Sequence, residues 1–238
     1  MKAFILAAGK GTRLKPLTDQ RPKALLEVGK LTMLERAIIK LKGEGFNDVV
    51  INVHYLAQQI IDFIQSKKWE GVKILISDET ERLLDTGGAL KKAWPLFENQ
   101  PVLVYNVDVA TALNLREMVK AHKSSGAIAT LAVSKRKSSR YLLFDEQLLL
   151  CGIKNSMEGK EDIRRHPEKI IEMAFSGIHI ANPELVHYFP ENEVFSIWEV
   201  YLKACISLPV KGFDHTGTFW IDLGKPEDLK KFDDMFGV

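Results

Sequence analysis

MKAFILAAGKGTRLKPLTDQRPKALLEV, residues Met1 to Val28, decides how the rest of the chain is read. The apolar run Ala3 to Ala8 is long enough for one buried strand, and Gly9 and Gly11 follow it at once. Glycines let a backbone approach an anion closely and turn its N–H groups toward it. Arg13 and Lys23 then supply positive charge at two separate points, while Pro16 and Pro22 discourage an immediate helix. The order is that of a strand running into a loop that grips phosphate. Two better-known glycine-rich motifs do not fit. The dinucleotide fingerprint needs a third glycine where Leu14 stands, and the P-loop needs Ser or Thr where Gly11 follows Lys10. An ordinary strand-ending turn accounts for the glycines but leaves Arg13, Pro16-Leu17-Thr18 and Pro22-Lys23 without a purpose.

Outward from this segment, apolar periodicity predicts a helix over Leu31–Leu41, a strand over Val49–Val53, a helix over Ala57–Ser66 and a strand over Val72–Ile76. A helix entered through Leu84-Asp85-Thr86-Gly87-Gly88 ends before Pro95, with Asp85 or Thr86 as its cap. The strand Pro101–Val107 comes next. This alternation predicts an α/β fold, a doubly wound, mainly parallel sheet. In such sheets ligands bind at the carboxyl ends of the strands, where Asn106 and Asp108 stand. A carboxylate ending a buried strand is costly unless it is solvated, paired or bound to a cation.

A helix over Leu115–His122 and a strand over Ala127–Ser134 follow, and then the register changes. Two short strand-like pieces, Tyr141–Asp145 and Gln147–Cys151, precede a charged surface excursion, Lys154–Lys169. Ile170–Ala181 returns as a strand in which Gly177 marks a bulge or a close backbone approach. Helices over Glu184–Tyr188 and Ile197–Ile206 and a strand over Val210–Asp214 lead to Phe219-Trp220-Ile221-Asp222-Leu223-Gly224-Lys225-Pro226. There Asp222 sits between apolar neighbours and Pro226 opens a final helix. His54 ends a strand without a metal-ligand companion and reads as structural.

A chain of 238 residues suits one large domain, residues 1–238, and is too short for a sizeable second one. Lys and Arg number 33 against 31 Asp and Glu, a balance that argues against nucleic acid as a partner. Cys151 and Cys205 read as free thiols. There is no secretory signal and no apolar stretch of the ~18 residues that a membrane helix needs, so a cytoplasmic protein is expected, monomer or homo-oligomer.

Leu6-Ala7-Ala8-Gly9-Lys10-Gly11-Thr12-Arg13-Leu14, with Pro16-Leu17-Thr18 and Pro22-Lys23-Ala24-Leu25, resembles the signature loop of the nucleotidyltransferases that make nucleoside-diphosphate sugars from sugar 1-phosphates. The resemblance runs through Thr86-Gly87-Gly88 to the Trp-x-Asp-x-Gly-x-Pro segment at Trp220, and so covers essentially the whole chain. It implies a Rossmann-like sheet of the nucleotide-diphospho-sugar transferase type, with a small β excursion for the sugar pocket. It further implies catalytic Arg13 and Lys23, and nucleotide binding by Ala8, Gly9, Gly11, Thr12, Gly87 and Gly88. Asn106 and Gly177 would bind the sugar, and Asp108 and Asp222 would hold Mg²⁺. The substrates implied are a nucleoside triphosphate and a sugar 1-phosphate.

Within the family the chain is most similar to short, single-domain uridylyltransferases acting on N-acetylmuramic acid 1-phosphate. Mannose-1-phosphate guanylyltransferases and phosphocholine cytidylyltransferases share the loop. One position departs: Val107 stands where the family usually has glycine before the first metal-binding aspartate. Val107 is thus the feature that favours a different class of protein, a nucleotide-sugar-binding regulator with weak turnover. Strand alternation places Leu103, Tyr105 and Val107 on one face and Val102, Val104 and Asn106 on the other, so the Val107 side chain is predicted to enter the core at negative φ.

Overall fold

The computed structural model describes residues 1–236, so the last two residues of the expected 1–238 domain lie outside the described residues. Strand β1 (Lys2–Leu6) carries Ala3, Phe4 and Ile5 fully buried. The chain leaves it through two 3₁₀ turns, Thr12–Leu14 and Lys23–Leu25, and a small hairpin of β2 (Glu27–Val28) and β3 (Leu31–Thr32). Helix α1 (Met33–Gly43) begins two residues later than its apolar pattern because Thr32 caps it. The Thr32 hydroxyl accepts from the Glu35 N–H at 3.1 Å, and the Glu35 carboxylate accepts from the Thr32 N–H at 2.9 Å. Then come β4 (Asp48–Val53), α2 (Ala57–Gln65), β5 (Lys73–Asp78), α3 (Asp85–Ala93) and β6 (Val102–Asn106). These strands lie parallel in the order β6-β1-β4-β5.

The second half begins with β7 (Val109–Thr111), α4 (Leu115–Ser125) and β8 (Ala129–Ser134). An antiparallel excursion, β9 (Arg140–Phe144), β10 (Leu150–Asn155) and β11 (Lys160–Ile163), precedes the long strand β12 (Ile171–Ala181). Helix α5 (Ile197–Ala204), β13 (Val210–Asp214), β14 (Trp220–Asp222) and α6 (Pro226–Phe236) complete the chain. Strand β12 joins the halves, pairing antiparallel with β6, β8 and β9. Its register with β8 shifts between Phe175 and His179, where Gly177 takes φ +75°. The bulge that Gly177 marks is therefore present.

Helices cover both faces of the sheet, which is what double winding requires. One apolar core gathers residues of α1, α2 and α4, the other residues of α3 and α5. The alternation along β6 holds to its end: Leu103, Tyr105 and Val107 enter the first core, Val102 and Val104 the second. Val107 is 5% exposed, is absent from the positive-φ residues, and its N–H continues the ladder to the Leu6 carbonyl at 3.2 Å.

Charge and shortness hid several elements. Lys160–Ile163, inside the stretch read as a surface excursion, is the outermost strand of the sheet, and its charged side chains guard an open edge. The piece expected at Gln147–Cys151 is shifted to Leu150–Asn155, after a turn in which Leu148 takes φ +56°. Pro183–Tyr188 is a 3₁₀ helix. Three-residue β7, which no periodicity revealed, pairs with β14. Among the described residues no helix is long and apolar enough to cross a membrane.

Candidate active site

The first functional loop is held by a residue that sequence reading passed over. Asn52, near the end of β4 and 2% exposed, accepts from the Ala7 N–H at 2.6 Å and the Ala8 N–H at 3.3 Å through Oδ1. Its amide donates to Glu79 Oε1 at 2.8 Å, and the second Glu79 carboxyl oxygen is buried without a partner. Burial raises the Glu79 pKa, and the Asn52 hydrogen bond opposes it. The only sequence signal was a polar residue inside an apolar strand, Val49-Val50-Ile51-Asn52-Val53. His54, as expected, is structural, its Nδ1 lying 2.7 Å from the Glu79 carbonyl.

Beyond Ala8 the loop opens. A Cβ on Gly9 would meet nothing within 4 Å, so the space beside it belongs to a cavity of about 410 Å³ that Ala8, Gly9, Lys23, Asn52 and Glu79 help to line. Gly11 turns at φ +63°, where a Cβ would stand 2.8 Å from Thr18 Cγ2 and 3.0 Å from Lys23 Cβ. Its carbonyl accepts from the Thr18 hydroxyl at 2.9 Å, which folds the loop back over Lys23. Backbone hydrogen bonding within the described residues leaves the N–H groups of Gly9, Lys10 and Gly11 free. Thr12 opens the 3₁₀ turn that carries Arg13.

The two aspartates converge. Asp108 lies in the turn between β6 and β7, a turn held by the Tyr105 hydroxyl donating to the Val109 carbonyl at 2.9 Å. Asp222 ends β14 opposite Val109, and the next N–H, of Leu223, donates to the Asp108 carbonyl at 2.8 Å. Each carboxylate has a cationic partner that local sequence did not disclose. Lys23 Nζ pairs with Asp108 Oδ2 across 85 residues, both side chains 13% exposed, and Arg13 Nη2 stands 3.6 Å from Asp222 Oδ2. Burial, then the nearby Asp108 carboxylate, push the Asp222 carboxyl above the usual range, while Lys23, Arg13 and the Gly224 N–H pull the other way. Gly224 has no room for a side chain, since a Cβ would lie 2.4 Å from Arg13 Nη2 and 2.7 Å from Asp222 Oδ1.

A second cavity of about 470 Å³ adjoins the first, and Asn106 and Asp108 line both. Arg13 and Asp222 face this second cavity, as do Gly177 and Arg136. Gly177 is required by close approach as well as by its φ: a Cβ there would stand 2.7 Å from Val109 Cγ2 and 3.1 Å from Asn106 Nδ2. Arg136 and Trp198 were not singled out by sequence, and Trp220 only as the first residue of its Trp-x-Asp-x-Gly-x-Pro segment. In the sequence Arg136 stands only as the middle of Lys135-Arg136-Lys137, and the aromatic residues reach this cavity through folding alone.

Gly87 and Gly88 are closely packed, and Gly88 lines a separate cavity with Arg82 and Lys91. A Cβ on Gly87 would lie 2.5 Å from the Phe195 ring, and one on Gly88 2.0 Å from the Glu193 carbonyl oxygen. This segment reaches the first cavity through Leu83, Asp85 and Thr86 instead. The expected side-chain cap on α3 is absent: Leu84 precedes the helix, Asp85 takes φ +59°, and the Thr86 hydroxyl accepts from the Ile197 N–H at 3.0 Å.

Comparison with known proteins agrees with this geometry. The family model described as nucleotidyl transferase matches residues 2–235. The N-acetylmuramate alpha-1-phosphate uridylyltransferase of Neisseria meningitidis is 31% identical over 246 residues, covering 100% of this chain and 99% of the relative. The mannose-1-phosphate guanyltransferase of Yarrowia lipolytica is 32% identical over 239 residues, and there the match spans 96% of this chain but only 62% of the relative. Among solved structures, HddC of Yersinia pseudotuberculosis superposes with a TM-score of 0.81 at 24% identity, covering 99% of both chains. The glycine loop, the paired aspartates and a family match over nearly the whole chain lead to one conclusion: this protein belongs to the nucleotidyl transferase family.

Proposed function

We propose that the chain transfers a nucleoside monophosphate from a nucleoside triphosphate to a sugar 1-phosphate, releasing pyrophosphate and a nucleoside-diphosphate sugar. The observation that carries this reading is the meeting of Asp108 with Lys23 and of Asp222 with Arg13 where two cavities adjoin. The cavity beside Gly9 suits the triphosphate, with the N–H groups of Gly9, Lys10 and Gly11 as donors to its phosphates. The second cavity suits the sugar phosphate.

A phosphate nucleophile is already deprotonated, so the reaction needs no general base, and among the described residues no histidine lines either cavity. The barrier is mainly charge repulsion between two phosphates, to be met by positioning and by cations. Lys23 neutralises charge at the reacting phosphorus. Arg13 is half exposed and its pair with Asp222 is correspondingly weak, so it is free to turn toward the β- and γ-phosphates that leave.

Asp108 and Asp222 fit Mg²⁺. Among the described residues no cluster of three acidic, His or Cys ligands exists, and an ion that takes one or two carboxylates, waters and substrate phosphates suits such a pair. When bound, Mg²⁺ supplies charge neutralisation to the phosphates brought together there. Burial, and after it the Asp108 carboxylate, raise the Asp222 pKa, and a dication would offset both.

We assign UTP and N-acetylmuramic acid 1-phosphate, or a related hexose 1-phosphate, as the substrates, a choice supported by the end-to-end match with the Neisseria relative. Guanylyl transfer to mannose 1-phosphate is the second reading, favoured by the Yarrowia relative. We place the reaction in the cytoplasm. The regulator reading rested on Val107, which is 5% exposed and packs in the first core on an ordinary backbone but also borders the cavity beside Gly9, so Val107→Gly kinetics decide between the two readings. The test is a panel of nucleoside triphosphates against sugar 1-phosphates with Mg²⁺, read as pyrophosphate. Release in no combination would overturn the proposal.

A further inference from the structure

Strand β12 breaks step between Phe175 and His179, and there Ser176 and Gly177 have no ladder partner in β6 or β8. Side chains from outside the strand hold the bulge instead. The Phe175 carbonyl accepts from an Arg136 Nη at 2.5 Å, and the Ser176 carbonyl accepts from the Trp220 indole N–H at 2.8 Å. The Ser176 hydroxyl, in a residue 0% exposed, lies 2.7 Å from His215 Nε2. Among the described residues Arg136, Phe175, Gly177 and Trp220 line the second cavity, whereas Ser176 and His215 do not.

His215 comes to the bulge from a firm base. It stands in the turn between β13 and β14, and that turn is bonded to the end of β8. The His215 N–H donates to the Val133 carbonyl at 3.0 Å, and the Thr216 hydroxyl accepts from the Lys135 N–H at 2.8 Å. Arg136 follows Lys135, so the His215 ring and the Arg136 guanidinium reach the bulge from two segments that are bonded to each other. The guanidinium lies over the Trp220 ring, 3.8 Å from its centroid. A charged imidazole needs an acceptor at each nitrogen, and His215 Nδ1 is buried without one. His215 is therefore neutral; burial lowers its pKa in the same sense, with Asp214 opposing and Arg136 assisting. Away from the cavity and uncharged, what this ring offers is one hydrogen bond to Ser176. Without it the Ser176 hydroxyl is buried unpaired, and the bulge, with no ladder to hold it, is the part of β12 free to relax.

We infer that His215 is a positioning residue: through its bond to Ser176 it sets the bulge on which Trp220 and Arg136 rest, and with it their place in the wall of the second cavity. That this cavity holds the sugar phosphate rests on the function proposed above; the tie from His215 to Trp220 does not.

Hydrogen exchange at the indole N–H groups of the whole protein tests the tie. Trp220, assigned with Trp220→Phe, is the reporter, and Trp69, whose indole donates to the Ile64 carbonyl at 2.9 Å outside this cavity, is the control. In His215→Phe the Trp220 indole should exchange about tenfold or more faster, as expected for the loss of one buried hydrogen bond, while Trp69 stays within about twofold. His215→Gln, whose amide reaches the position of Nε2, should restore protection. Ser176→Ala cuts the same bond from its other end, so it should match His215→Phe, add nothing to it in the double variant, and report even if His215→Phe fails to fold. An unmoved Trp220 indole, equal losses at Trp220 and Trp69, additive effects, or a His215→Gln no better than His215→Phe overturns the inference. In the substrate pair that the pyrophosphate panel identifies, His215→Phe should raise KM for the sugar phosphate about tenfold and leave KM for the triphosphate within about twofold; an equal rise in both overturns the positioning role. Turnover in no pair would sink the transferase reading and leave the indole result standing.

Discussion

Replacing Asn52 by alanine should disable the glycine loop without unfolding the protein. Asn52 is 2% exposed and holds the Ala7 N–H at 2.6 Å and Glu79 Oε1 at 2.8 Å, with a longer contact to the Ala8 N–H at 3.3 Å. Truncation strands a buried donor and a buried carboxyl oxygen at the two short bonds. Each such loss costs about 1–3 kcal/mol. The sum is roughly 2–6 kcal/mol, and water entering from the cavity beside Ala8 should bring it to about 3 kcal/mol. Typical domains are stable by about 5–15 kcal/mol, so most molecules stay folded. Equilibrium denaturation in urea reads the stability, and calorimetry with a nucleoside triphosphate reads the loop, where affinity should drop at least tenfold. Asn52→Asp is the informative partner. It keeps the acceptors for the loop but sets a second carboxyl against Glu79, so the folded pair holds a proton more tightly than the unfolded chain does. Its stability deficit should therefore shrink as pH falls from 8 toward 5. A loss below about 0.5 kcal/mol with unchanged nucleotide affinity in Asn52→Ala would refute the strut.

Three further outcomes follow from the same geometry. Lys23→Ala should lower turnover by about 10²–10³, the usual loss for one transition-state stabiliser, while Arg13→Ala should also weaken triphosphate binding; unchanged kinetics in both would reduce the loop to a turn. Val107→Gly should cost roughly 2–4 kcal/mol from a lost core side chain and added chain entropy, with a modest effect on rate; a large gain in turnover would revive the regulator reading. His122, His179 and His215 are buried, and burial lowers all three pKa values, that of His179 to about 3. Unfolded histidines take protons near pH 6.5, so the folded state should lose stability below that pH by up to about 1.4 kcal/mol per unit for each that stays neutral, partly offset by Glu79 and Asp222, whose raised pKa values act the other way. A denaturation series from pH 8 to 5 whose slope is the same in the wild type and in His179→Phe would show that His179 charges freely in the fold.

By itself the sequence determined the order of strands and helices in the parallel half, because a buried strand and a one-faced helix each impose a period on their own residues. It also marked the positions that break those periods: the glycines after β1, Asp108 ending one apolar run and Asp222 interrupting another. Only the tertiary structure decided what those residues meet. Lys23 finds Asp108 across 85 residues, and Asn52 reaches Ala7 because β1 and β4 run side by side. Gly87 and Gly88 are small because Phe195 and Glu193 press on them, a reason invisible from Thr86-Gly87-Gly88 alone. Arg136 reads as one charge in a basic run until folding lays it on Trp220. Periodicity is a property of neighbours in the chain, whereas each of these contacts depends on strand register and crossover, which fix the distance between residues that no local pattern relates.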